Sequence, residues 1–114
     1  MAQETLDALV HQARLDLEQG TDFRAPGGAV TVALCGHWEH EGSCRWPHHT
    51  SISDTDSVRV VRTVFVSSPS DVLEVRQRIH EALAFGVGWT LLQGGPAPLN
   101  DDERHLARRL ADAS

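Results

Sequence analysis

The chain contains no lysine and no tyrosine, and only two cysteines. Each scarcity excludes something. Without lysine, the glycine pair Gly27-Gly28 cannot belong to a lysine-tipped phosphate loop, and it reads as a plain turn after Pro26. All 10 basic residues are arginine and face 16 acidic ones, for a net charge of -6. That balance lacks the basic field that releases counterions from a nucleic acid, so no nucleic-acid partner is expected. The one local basic group, Arg104, Arg108 and Arg109, follows Asp101, Asp102 and Glu103. It reads as a solvated helix with acids at its start and bases at its end.

No apolar run approaches the roughly 20 residues of a membrane span. The polar start, Met-Ala-Gln-Glu-Thr-Leu-Asp, lacks the charged-then-apolar pattern of a secretion signal. A cytoplasmic protein without a membrane partner is therefore expected. In that compartment Cys35 and Cys44 are reduced thiols; in an exported protein a disulfide between them is the default reading. At 114 residues the chain reads as a single domain, 1–114, with one modest core.

What the chain does hold is concentrated in one place. The segment Cys35 to Thr50 carries both cysteines, both Trp38 and Trp46, and His37, His40, His48 and His49. The pattern Cys35-x-His37-x2-His40-x3-Cys44-x3-His48 places thiol and imidazole donors close together, and these are the ligand types zinc prefers. A tetrahedral site drawn from Cys35, His37, His40, Cys44 and His48 has one ligand to spare, or keeps one position open for water. Trp38 and Trp46 would shield it. Paired C-x2-C knuckles are missing. The competing reading makes Cys35 a small buried apolar residue, the tryptophans core caps and the histidines loop residues.

Three functions follow from this segment. The first is a small metal-binding protein, with zinc as cofactor. The second is an interaction or regulatory module that docks or homodimerises through a sheet edge or the Trp-rich loop, with Arg45-Trp46-Pro47 as a candidate anchor, since Trp and Arg are favoured at interfaces. The third is a small metal-dependent enzyme with Glu39 or Glu41 as general base beside a bound water, in a cleft lined by His37, His40 and Glu41.

The rest of the chain reads as a scaffold in the order α-β-β-α-β-α. Leu6, Leu9, Val10, Ala13 and Leu17 recur at helical spacing over 3–19, with His11 at the boundary of the stripe. Residues 29–38 read as a strand that points Cys35 and His37 the same way. A long polar loop covers 39–57. Residues 58–67 are rich in β-branched side chains and read as a central strand. Ser68 and Pro69 open a helix over 69–84, with Val72, Val75, Ile79, Ala82 and Leu83 as its buried stripe. Residues 87–93 read as a third strand, parallel to 58–67 across the helix. Asn100 caps a last helix, with Glu103 completing a capping box. His80 and His105 fall at helix surfaces.

The piece Val-Phe-Val-Ser-Ser-Pro-Ser-Asp-Val-Leu-Glu-Val-Arg, 64–76, resembles the opening of some TIR-like domains. The resemblance covers those residues alone and implies a strand, a tight turn and a helix. The expected fold is α/β (α+β): a three-stranded mixed sheet, a split β-α-β like a ferredoxin-like sandwich without its first strand. Its open edges invite a covering helix or a partner strand.

Overall fold

The computed structural model describes residues 6–35, 46–55 and 58–112. Four strands and three helices follow in the order β1 (Asp7–Leu17), α1 (Ala25–Cys35), β2 (His48–Thr55), β3 (Val58–Ser67), α2 (Val72–Ala84), β4 (Trp89–Ala97) and α3 (Asp101–Asp112). The strands form one antiparallel sheet in the order β2-β3-β1-β4. The fold is therefore α+β, with a fourth strand and without the expected parallel neighbours.

Two elements exchange identity relative to the sequence reading. Residues expected as a helix form the inner strand β1, paired with β3 from Asp7↔Ser67 to Leu15↔Arg59 and with β4 from Val10↔Ala97 to Leu17↔Trp89. Leu9, Ala13, Leu15 and Leu17 alternate along it and pack into the main core, while Ala8 and Val10 pack on the opposite face. A strand buried on both faces carries apolar residues at positions that also satisfy helical spacing, and pairing with two neighbours decides the outcome. Gly20, at φ 89°, turns the chain after β1.

Residues expected as a strand form α1 instead. Pro26, Val30 and Leu34, four residues apart, are buried on one helical face. Asp22 accepts the Arg24 N–H at 2.9 Å and shapes the entry turn. Within the predicted loop 39–57, residues 48–55 form β2, which pairs with β3 from His48↔Phe65 to Thr55↔Val58, while 39–45 and 56–57 lie outside the described residues.

β3 is the strand expected, and the helix after it starts with a short 3-10 turn, Pro69–Asp71. Ser68 occupies its N-cap position without a side-chain cap bond; its hydroxyl meets that of Ser70 at 3.2 Å. β3 and β4 run in the same direction, because each is antiparallel to β1, but β1 lies between them.

Helices α1 and α2 share one side of the sheet and enclose the main core of Leu15, Val30, Trp46, Phe65, Val75, Ile79 and Trp89. Helix α3 covers the other side, where its Ala107 packs with Val10 and Val64 of the sheet. It is held by the predicted capping box. Asn100 Oδ1 accepts the Glu103 N–H at 2.8 Å, and Glu103 Oε1 accepts the Asn100 N–H at 2.9 Å. The same carboxylate receives a forked bond from Arg62 of β3, at 2.8 and 2.6 Å. That bond holds the Glu103 carboxyl below its ordinary pKa.

Glu103→Gln keeps a capping side chain and removes the charge that faces Arg62. It is expected to cost about 1–2 kcal/mol in urea unfolding. An unchanged midpoint would show that the ion pair does not fasten α3.

Candidate functional site

The C-terminal end of α1 and the beginning of β2 meet in a corner. α1 ends on Cys35 and β2 begins on His48, and the Cys35 Sγ lies 3.8 Å from His48 Nδ1. Cys35 is disulfide-bonded, not the reduced thiol expected, and Cys44 is the one other cysteine of the sequence.

The corner is built on Trp46. Its side chain is 2% exposed and belongs to the main core, so it is not the exposed anchor that Arg45-Trp46-Pro47 suggested. Its indole N–H donates to Asp71 Oδ2 at 3.1 Å, and the Arg78 guanidinium lies 5.0 Å above the ring. Arg78 also donates to the Ala33 carbonyl at 3.1 Å. Helix α2 thus fastens both Trp46 and the last turns of α1.

His48 has a partner at each ring nitrogen. Nδ1 is 3.0 Å from the Trp46 carbonyl oxygen, and Nε2 is 3.3 Å from Thr31 Oγ1. A carbonyl only accepts, so in this arrangement Nδ1 carries the proton and Nε2 accepts from the Thr31 hydroxyl. The opposite tautomer would let Nε2–H donate to Thr31 but would set the Nδ1 lone pair against the Trp46 carbonyl oxygen. Strand alternation separates the two adjacent histidines. His48 lies opposite Phe65 of the main core, and His49 lies opposite Val64 of the α3 side.

Of the five residues with ligand spacing, the structure brings together Cys35 and His48. His37, His40 and Cys44 lie outside the described residues, as do Trp38, Glu39 and Glu41. Among the described residues no group of three or more His, Cys, Asp or Glu is placed to hold a metal.

Beside the corner, a groove of about 370 Å³ runs between the first turns of α1 and edge strand β2. Phe23, Gly27, Gly28, Thr31, His48 and Ile52 line it. Thr50 lines it as well and meets Thr63 Oγ1 at 3.2 Å. The sequence reading missed this groove because it treated Gly27-Gly28 as a turn and Thr31 as a strand residue. The available signal was the spacing of Pro26, Val30 and Leu34, which turns the glycine pair into a helical surface.

His11 is not the boundary residue expected. It is 6% exposed. Arg76 Nη1 lies 3.2 Å from its Nδ1 and also donates to the Val10 carbonyl at 2.9 Å. An arginine only donates, so Nδ1 accepts and the proton sits on Nε2. That nitrogen is buried without a hydrogen-bond partner among the described residues. Burial, then the charge of Arg76, then His80, lower the imidazole pKa to about 4. His80 and His105 are exposed on α2 and α3.

Among the described residues no helix is long and apolar enough to cross a membrane. Comparison with protein-family models, with curated proteins and with solved structures gives no match.

Proposed function

We propose that the protein is a small metal-binding domain, zinc preferred, whose site is the corner between the end of α1 and the start of β2. The observation that carries this reading is the 3.8 Å separation of Cys35 Sγ and His48 Nδ1, contributed by residues 13 apart in sequence. Two ligands of one tetrahedral zinc, at about 2.3 Å for sulfur and about 2.0 Å for nitrogen, lie about 3.5 Å from each other. The corner is within a few tenths of an ångström of that spacing. His37, His40 and Cys44, between Cys35 and His48 in sequence, supply the remaining donors in this reading.

The proposal requires the reduced protein, because a metal takes a thiolate and a disulfide sulfur is not one. A cytoplasmic location supplies that state. With a metal on Nδ1, the Nε2–H of His48 would donate to Thr31 Oγ1. A histidine ligand generally makes such an outer hydrogen bond, which fixes its ring. Thr31 is already at the distance needed.

The test is elemental analysis of protein purified under reducing conditions without an affinity tag. About one zinc per chain is expected, falling to background in Cys35→Ser and in His48→Ala. Metal-free protein that stays folded and takes up no added zinc after reduction would overturn the reading.

Docking of a protein partner or a second copy is the second reading. With Trp46 in the core and Trp38 outside the described residues, it draws on the sheet edges, since among the described residues β2 and β4 are each paired on one side only. We also read the β-α-β-β-α-β core, with β1 between β3 and β4, as a ferredoxin-like sandwich carrying α3 on its second face.

A further inference from the structure

We propose that the groove between α1 and β2 binds an uncharged, planar heteroaromatic molecule. The inference does not require a metal in the neighbouring corner.

The groove has the volume of the smaller known ligand sites, about 370 Å³. One wall is apolar. Phe23 is 58% exposed there, although the chain has only three phenylalanines. Ile52 stands at the same end, and a second cavity that also contains Phe23 and Ile52 continues along β2. An exposed ring beside a cavity is suited to stacking against a second planar ring.

The other wall is polar and presents no unpaired charge. Arg24 lines the groove, but its guanidinium is engaged by Asp22 at 3.1 Å. The polar side chains on this wall are the Thr31 and Thr50 hydroxyls and the His48 imidazole; His49 also lines the groove but, next along β2, alternates to the other face of the sheet. Thr31 uses its one donor on His48 Nε2 and keeps its acceptor positions, while Thr50 keeps its donor when Thr63 donates to it. The remaining capacity matches the edge of a ring that bears both a donor and an acceptor. A free anion finds no unpaired cation among these residues.

Gly27 is the second independent sign. It lies inside α1, where glycine is less stable than alanine. A Cβ at this position would meet Thr50 Cγ2 at 3.6 Å, an ordinary contact, and Thr50 belongs to the opposite wall. Packing therefore gives no reason for the missing methyl. Its absence keeps the space between helix and strand open.

The same fact supplies the test. Gly27→Ala is expected to fold with unchanged or raised thermal stability and to narrow the groove where α1 faces Thr50. Nitrogen-15 labelled wild-type protein, kept metal-free with a chelator, is titrated with adenine as the probe and with benzoate as a charged control. Saturable shifts confined to 23–31 and 48–52 are expected with adenine, weakened about tenfold or more in Gly27→Ala. Absence of saturable shifts with adenine overturns the proposal. So does equal adenine affinity in a folded Gly27→Ala, or saturation by benzoate in place of adenine. Zinc content is measured separately, so a failed metal reading and a failed groove reading are told apart.

Discussion

Gly86→Ala is expected to lower the unfolding free energy by about 3 kcal/mol or more, although it adds one methyl group. A Cβ at Gly86 would stand 1.8 Å from Trp89 Cζ2, 2.4 Å from Cε2 and 2.6 Å from Cη2. These atoms belong to a rigid ring that cannot bend away. The ring cannot slide either, because its N–H donates to the Leu83 carbonyl at 2.8 Å and its body is packed in the main core. Relief requires either breaking that bond or moving β4 away from the end of α2.

Unfolding in urea, followed by tryptophan fluorescence, measures the effect. Trp89→Phe removes the second ring and the N–H together. Combined with Gly86→Ala, it is expected to cost less than the sum of the two single changes, because the clash disappears with the ring. A Gly86→Ala protein within about 0.5 kcal/mol of wild type would show that this turn yields easily. The contrast with Gly27 is instructive, because there the added methyl meets open contact distance instead of an indole.

Apart from β4, which runs to Ala97 and pairs with β1 instead of β3, the second half of the fold was legible in the sequence because its local signals agree with its tertiary role. In 58–67 the β-branched residues form an inner strand, flanked by β2 and β1. Val75, Ile79 and Leu83 fall one helical turn apart and are all buried. Asn100 and Glu103 close a capping box that any chain with that spacing could form locally. The first half was misread because its local signals conflict with the sheet. Leu15, absent from the supposed helical stripe, is fully buried on β1. The β-branched Val30, Thr31 and Val32 suggested a strand, yet Val30 and Leu34 pack as a helical face. The candidate site was half legible. Spacing pointed to Cys35 and His48, which do meet, but the groove depends on α1 being a helix and so stayed hidden.

That same exchange of helix for strand turns His11 into an acid-sensitive point of the fold. On the surface of a helix it would titrate as an ordinary imidazole. On β1 it is buried, its pKa lies at about 4, and Arg76 occupies its Nδ1. In the unfolded chain the same imidazole titrates at about 6.5. Between those values the unfolded chain binds a proton that the folded protein refuses, so acid favours unfolding. The contribution is complete above about pH 6.5 and is lost progressively as pH falls toward about 4, to a total of about 3 kcal/mol.

Glu103, held low by Arg62, loses its contribution at lower pH, as its carboxyl is protonated. The two effects therefore separate along the pH axis. Urea unfolding free energies at about pH 7 and about pH 4.5 are expected to differ by about 2–3 kcal/mol in the wild type. They should differ far less in His11→Gln, which keeps an acceptor for Arg76 and cannot titrate. Equal pH dependence in the two proteins, or an imidazole titration near 6.5 for His11 in the folded state, would mean that the ring reaches water. In that case the unpartnered Nε2 would find its acceptor there. A buried, neutral His11 instead makes the Arg76–His11 contact a bond between a cation and a neutral acceptor, and protonating the ring would set two positive charges 3.2 Å apart beneath α2.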